Sequence, residues 1–442
     1  MILASSEFEK FYGMLFWETD SKPLKGSIKE NYSDFIVEEI LPDGTILTIE
    51  NHDFPHSGYE GLFTHFVLVK EGIGNYEVVW LLSEKLRVPT SWFSYYGNKD
   101  RDALTIQKMA VWGVSPEKLL QIELPNNIKI LNPKRELRRL NIGQHKGNRF
   151  KITIRNLEPS RAFEELERFL ETASKDKGFL LPNFFGYQRF GVTKPVSAIV
   201  GKQLLKKKYR DAIITFLTFP SVYDDEILKE AKKNIIEGNY REALSLIPKR
   251  GFIFEKIALT NLLRYGENYK KIIKKLPRIL IRMFLEAYQS YLFNLTLSNY
   301  KINHGDFPQS NGNYKIPLLG YDTKLKEKKI GIIIKKILKE ENVEPDDFKN
   351  KEILSLNLGG SQRESVLKFK LSEYKIRASS KEAYLVFSLK KGQFATIIMR
   401  EIFKENILNA LYSKLARRFG EKNFHERMRL IIKKGAEMLK MI

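Results

Sequence analysis

The segment SWFSYYGNKDRDALTIQKMAVWGV, residues 91–114, decides how the chain is read. Its first part, SWFSYY, has the aromatic and apolar character of a strand and runs into the turn pair Gly97-Asn98. Lys99, Asp100, Arg101 and Asp102 follow, four charges of alternating sign. The remainder, ALTIQKMAVWGV, reads as a helix or a helix-like turn. On that reading the charges mark a strand-to-helix junction. Both aspartates suit a helix start, where a side-chain oxygen caps free N–H groups for about 1 kcal/mol. A carboxylate aimed at a ligand is the other reading of Asp100, and the local pattern leaves both open.

Upstream of this junction, KGSIKE (25–30), DFIVEEI (34–40) and TILTIE (45–50) read as extended, with Pro42, Asp43 and Gly44 turning between the last two. FTHFVLVKE (63–71) is a further strand. YEVVWLLSEKL (76–86) places Val78, Leu81, Leu82 and Leu86 at helical spacing. Downstream, NPKRELRRL, KGNRFKITIRNL and RAFEELERFLETAS continue an alternation of strands and helices to about residue 178. From about 195 to 300 the pattern is mostly helical, with DAIITFLTF, EILKEAKKNIIEGNYREALSLI and IRMFLEAYQSYLFNLTL. A polar loop, NHGDFPQSNGN (303–313), a lysine-dense helix, EKKIGIIIKKILKEE (327–341), and FKNKEILSL (348–356) complete the middle. Strands return in KFKLSEYKIRA (368–378) and AYLVFSL (383–389), and one long helix is expected from Phe394 onward. The expectation is an α+β fold: a domain formed by 1–194 and 375–442, interrupted by a largely helical domain at 195–374, with a helical extension after about 405.

Charge narrows the partners. The 442 residues contain Lys+Arg 75 against Asp+Glu 53, a net charge of +22 within an ordinary globular composition of 43% hydrophobic and 29% charged residues. Such an excess favours polyanions, nucleic acid first and anionic membrane second. The cations cluster in KPLKGSIK, NPKRELRR, KQLLKKKYR, KKIIKKLPR, KLKEKK and LARRF. Each cluster alone reads as a solvated face. A membrane-surface protein concentrates such charge on one amphipathic helix or terminus, so a spread over six favours nucleic acid. There are 20 Tyr and 29 Phe interleaved with them, rings of the kind on which looped or single-stranded RNA stacks. Cysteine is absent, which excludes disulfides, thiolate nucleophiles and cysteine-ligated metals. The opening MILASSEFEKFYG lacks a signal-peptide core, and no apolar run approaches the ~18 residues of a membrane helix. The chain therefore reads as soluble and cytoplasmic, with no membrane association.

Two further stretches invite chemistry. NFFGYQRFG (183–191) gathers Asn183, Phe184, Phe185, Gln188, Arg189 and Phe190 between flexible glycines. Phe184 and Phe190 read as core. An amide, a ring and a guanidinium together suit a planar, hydrogen-bonding ligand such as a nucleobase. His52 and His56, by contrast, stand in the loop-like HDFPHSGYEG, which lacks the helical context that makes an i, i+4 pair bind metal.

GNKDRDALTIQ, NFFGYQRFG, KENYSDFIVEE (29–39), GNRFKITIRN (147–156), QSYLFN (289–294) and SLKKGQFATIIMRE (388–401) together closely resemble the motifs of the TruD family of RNA pseudouridine synthases. The resemblance runs from about residue 25 to 402. It implies a pseudouridine synthase catalytic core on a mixed, mainly antiparallel sheet, interrupted by a helical-rich TRUD domain, with a basic RNA cleft between them. It implies that Asp100 is the catalytic aspartate, that Phe185 stacks on the target base beside Asn183, and that Lys29 and Phe35 shape the pocket. Arg189 and Lys99 join them as expected substrate contacts. Asp102 is expected to be a helix-start acid. Two departures are Tyr76 after Asn75, where Thr is usual, and Lys390-Lys391 before Gly392, where Leu-Pro is usual.

Pseudouridine formation breaks the N1–C1′ bond, turns the uracil over and rejoins it through C5, without redox change or external energy. It asks for one ionised carboxylate near the ribose, acting as nucleophile or base. An aspartate's ordinary pKa of ~3.9 leaves it ionised near neutral pH. The function the resemblance implies is that of a tRNA pseudouridine synthase of U13-type specificity, other RNA sites being open, with RNA as partner. No cofactor, no metal and no obligatory protein partner is implied. An RNA chaperone of the same architecture is a second reading, against which the intact Lys99-Asp100 pair weighs. A metal-dependent nuclease using Asp100 and Asp102 is a third.

Overall fold

The strand Leu104–Trp112 is where the molecule departs most from its local reading. In the computed structural model, the stretch expected to be helical is extended and every residue in it but Trp112 is buried. Met109 and Val111 pack on one side against Val78, Leu82 and Leu86 of the helix Asn75–Leu86. Leu104, Ile106 and Ala110 pack on the other with Leu41, Phe54, Val67 and Leu140. A strand covered on both faces loses its apolar–polar alternation, which is why its periodicity resembles that of a buried helix. Asp102 consequently precedes a strand and caps no helix.

The structure describes all residues except 5, 57, 59, 60, 159, 160, 176, 177, 192, 249, 250, 308–313, 326, 327, 354 and 355. Parts of the stretches read at 52–61, 303–313, 324–329 and 348–356 lie outside the described residues. The fold is α+β, 46% helical and 21% strand. Two compact units share the chain: one is formed by Ser21–Leu181 and Leu367–Arg418, the other by Met1–Asp20, Pro182–Val366 and Phe419–Ile442. Residues 1–20 and 419–442 thus group with the helical middle of the chain and not with the sheet.

The first unit is built on a nine-stranded sheet. Its main path runs Leu371–Arg377, Glu382–Lys390, Gly147–Glu158, Phe35–Ile40, Leu104–Trp112, Phe63–Glu71 and Ile128–Glu136. Phe35–Ile40 and Leu104–Trp112 pair in parallel, while the other neighbours are antiparallel. That one parallel pair sets the loop 97–103 beside the segment around Lys29, because each immediately precedes its strand. TILTIE is not a strand; it makes only the isolated bridge Ile40–Ile46.

The second unit is organised on the 27-residue helix Arg278–His304. Ser197–Leu205 crosses it so closely that a β-carbon on Gly201 would stand 2.2 Å from the Phe284 carbonyl oxygen, so only glycine fits there. The long C-terminal helix expected from Phe394 is three helices, Ala395–Phe403, Ile407–Phe419 and Glu421–Met441. Lys404 and Gly420, both at positive φ, interrupt them. Phe424, Met428, Ile431, Ile432 and Leu439 bury one face of the last helix, and Lys202 Nζ donates to the Leu439 carbonyl at 2.7 Å. Among the described residues, no helix is long and apolar enough to cross a membrane.

Candidate functional site

In the sheet unit, Asp100 stands in the loop leading into Leu104–Trp112, its side chain 24% exposed. Lys29 Nζ lies 3.7 Å from Asp100 Oδ2. The same ammonium sits 4.1 Å from the centroid of the Phe35 ring, a buried side chain. Ring and carboxylate together fix where that cation can be. Lys29 itself is held at φ +67°, a left-handed conformation that costs a residue with a β-carbon roughly 1–2 kcal/mol. Local strain of this kind persists where the surroundings over-determine it. Here Ile28 N–H is tied to the Ala410 carbonyl at 2.8 Å, and Asn31 N–H to Asp34 Oδ2 at 2.8 Å.

Behind the loop lies a second cation. Lys70, fully buried on Phe63–Glu71, donates to the main-chain carbonyls of Asp100 and Ile73, both at 2.8 Å. Burial pushes its pKa down to about 8, with Lys99 adding to the fall and Asp100, Glu77 and Asp102 opposing it. The start of the loop is held by amides: Asn75 Nδ2 and Gln107 Nε2 each approach the Gly97 carbonyl at 3.4 Å. His145 packs over Gly97, and burial followed by the charges of Lys99 and Lys391 lowers its pKa to about 4, so its ring is neutral near pH 7.

Lys99, expected to meet the substrate, is elsewhere. Its ammonium lies 2.5 Å from Glu39 Oε1, with the two side chains 2% and 0% exposed. Glu39 Oε2 accepts the Lys108 N–H at 2.9 Å. Lys99 is thus a strut between the loop and the strand Phe35–Ile40, because a buried ammonium needs a buried anion. Glu39→Gln is expected to lower stability by about 3–5 kcal/mol, the cost of leaving one buried charge unpaired. A urea-unfolding midpoint equal to that of the unaltered protein would overturn this. Arg101, with its side chain 60% exposed and 3.6 Å from Glu77 Oε1, is the surface cation of the pair.

In the helical unit, Asn183, Phe185 and Arg189 come together around Arg363. The Arg363 guanidinium stands 4.0 Å from the Phe185 ring centroid and donates to Asn183 Oδ1 at 2.8 Å and to its carbonyl. Asn183 Nδ2 donates in turn to the Glu364 carbonyl at 2.9 Å. Burial lowers the Arg363 pKa to about 9, and Arg189 deepens the fall. Phe185 is 8% exposed. Asn294 clamps its backbone twice, accepting from its N–H at 2.9 Å and donating to its carbonyl at 3.1 Å. Phe293 meets the ring edge-on at 5.5 Å. Arg189 is bonded to Ser290 Oγ at 3.1 Å and to Glu286 Oε2 at 2.9 Å. The string QSYLFN is therefore the mount of NFFGYQRFG. Phe184 and Phe190 are core, as read.

Lys70 and Arg363 were missed by sequence reasoning, and so was the task of Asn294. Lys70 looks like the charged end of a strand in FTHFVLVKE, and nothing local marks it as buried. Arg363 lies in a polar stretch, SQRES, without a pattern of its own. Among the described residues no group of three or more His, Cys, Asp or Glu side chains is placed to hold a metal.

The chain matches the family model "tRNA pseudouridine synthase D (TruD)" over residues 11–310 and 306–402. It is 32% identical over 422 residues to the probable tRNA pseudouridine synthase D of Pyrobaculum islandicum, covering 91% of this chain and 98% of the relative. With the probable tRNA pseudouridine synthase D 1 of Methanocaldococcus jannaschii it shares 33% over 390 residues, 86% of this chain and 96% of the relative. The crystal structure of a TruD protein from Methanosarcina mazei superimposes with a TM-score of 0.63 at 26% identity, covering 91% of this chain and 99% of the other. The strand order, the loop carrying Asp100 and the mount of Phe185 are thus features of a member of the tRNA pseudouridine synthase D family, to which this chain belongs.

Proposed function

We propose that this protein converts one uridine of tRNA, of the U13 type, to pseudouridine, with Asp100 as the catalytic carboxylate. The observation that carries the reading is the setting of Asp100. It is partly exposed, in contact with one cation at its carboxylate, and anchored by another at its carbonyl. A carboxylate so held can add to C1′ as uracil departs, or take the C2′ proton; both routes demand a fixed position against the ribose. In the net reaction the N1–C1′ bond breaks, a C5–C1′ bond forms, C5 releases a proton and N1 gains one. No outside reagent enters.

The uridine must leave its stack, at a cost of a few kcal/mol. The Phe185 ring is suited to return about 1–3 kcal/mol of that by stacking on the displaced base. Lys29 and Phe35 shape the ground around the carboxylate, Asn183 and Arg189 lie beside the stacking ring, and the net charge of +22 draws the phosphate backbone. The reaction belongs to the cytoplasm, where the substrate RNA is.

The test is site-mapped pseudouridine in tRNA transcripts incubated with the purified protein. Conversion is expected at uridine 13, and a transcript with cytidine there is expected to stay unmodified. Conversion at another position with U13 untouched would overturn the site, and strand cleavage without isomerisation would overturn the reaction.

A further inference from the structure

We propose that Lys70 is a positioning residue for Asp100, its buried ammonium fixing the catalytic carboxylate through the main-chain carbonyl of the same residue. The proposal rests on Asp100 being the catalytic group. Its geometry is compact. The Lys70 ammonium bonds the carbonyl of Asp100 on one side and that of Ile73 on the other, each at 2.8 Å. It thereby ties the loop 97–103 to the segment that opens the helix Asn75–Leu86. Asn75 and Gln107 hold the Gly97 carbonyl at the other end of the same turn. Asp100 is thus held at its backbone by Lys70, while Lys29, its side chain 7% exposed, meets the carboxylate itself.

A neutral amine donates less strongly than an ammonium and loses its charge-assisted bonds, so the hold weakens when Lys70 gives up its proton. The charged groups acting on it are Asp100, Lys99 and Asp102 of the loop and Glu77 of the helix. Its folded pKa, about 8, lies below the usual 10.5. Between those values the unfolded chain holds the proton and the folded chain does not, so the contribution of this group to stability rises with pH across that window. Deprotonation of Lys70 therefore does not itself favour unfolding there, and the melting temperature is measured alongside the rate. Lys108 and Lys232 are also lowered to about 8, so variants are needed to assign the effect.

The experiment measures single-turnover pseudouridine formation and tRNA binding against pH for the full-length protein, Lys70→Met and Lys70→Arg. The unaltered protein is expected to lose rate as pH rises through about 8, with binding and melting temperature sustained. Lys70→Met should fall by about 10²-fold, the scale of a 1 Å misplacement, with binding retained and no further fall through that pH. Lys70→Arg, whose guanidinium keeps its proton, should recover much of the rate and hold it past pH 8. Where Lys70→Met fails to fold, the comparison with Lys70→Arg decides. A Lys70→Arg variant that declines alongside the unaltered protein overturns the proposal, as does a Lys70→Met variant with full rate. Asp100→Asn is run in parallel: if it is active, the underlying reading fails. If it is inactive while Lys70→Met keeps full rate, this proposal alone fails.

Discussion

Asp100→Asn is expected to bind tRNA with near-native affinity and to form pseudouridine at a rate lower by about 10³-fold or more, within the range attributed to a positioned catalytic group. The substitution keeps the shape of the side chain and the backbone carbonyl that Lys70 holds. It removes only the charge and the nucleophilic or basic oxygen. Lys29 then loses its ionic partner at 3.7 Å while keeping the Phe35 ring beneath it, so the fold should survive. Asp102→Asn, on an exposed residue of the same loop, is the control and should act within twofold of the unaltered protein, since surface changes away from special contacts rarely matter. Chromatographic separation of the nucleosides of digested tRNA reads both variants, since uridine and pseudouridine have the same mass. Full activity in Asp100→Asn would end the catalytic assignment, and equal losses in the two variants would make the loop's charge, not one carboxylate, the active feature.

Phe185 presents a sharper problem, because the ring is mostly buried and a guanidinium already stands 4.0 Å from it. Replacement by alanine would confound stacking with a cavity worth about 3–5 kcal/mol. Phe185→Leu separates the two. A leucine keeps apolar volume, and swaps of that kind usually cost less than about 1.5 kcal/mol of stability. It has no π-face for a base or for Arg363. If the ring stacks on the displaced uracil, losing about 1–3 kcal/mol of stacking should slow turnover by roughly 5- to 150-fold at tenfold per 1.4 kcal/mol. The phosphate-driven part of binding and its salt dependence should persist. Native turnover in a well-folded Phe185→Leu protein would assign the ring to the core with Phe293 and Arg363.

The sequence made the motif residues visible but not what holds them. Asp100, Phe185 and Asn183 stand in strings whose composition is odd enough to notice. Their supports come from far away in the chain. Lys70, Asn294 and Arg363 reach these two stretches through hydrogen bonds spanning 30, 109 and 180 residues, and no local pattern announces such a bond. The helix expected at 103–114 failed for a related reason. Burial on both faces of Leu104–Trp112 is decided by Phe35–Ile40 and Phe63–Glu71, so a window of a dozen residues contains no sign of it. Lys99 was misplaced because charge beside a candidate carboxylate suggests a surface, whereas its partner Glu39 belongs to another strand. The strands Phe63–Glu71 and Gly147–Glu158 and the helix Asn75–Leu86 were legible because their residues carry the pattern themselves.

The place of Glu382–Lys390 in the sheet has a consequence during synthesis. It pairs with Gly147–Glu158 along eight residues, with Leu385 opposite Ile152. The partner therefore emerges from the ribosome long after the strand that awaits it. At ~5–20 residues per second the delay is ~10–50 s. For that time Gly147–Glu158 presents an open edge, the sort of surface on which nascent chains associate with one another. Arg149, Lys151 and Arg155 lie along that edge, and charged side chains of this kind oppose pairing with a stranger. In the finished molecule they answer Glu38 and Asp34; in the nascent one they are sentries for a strand whose neighbour has not yet been made.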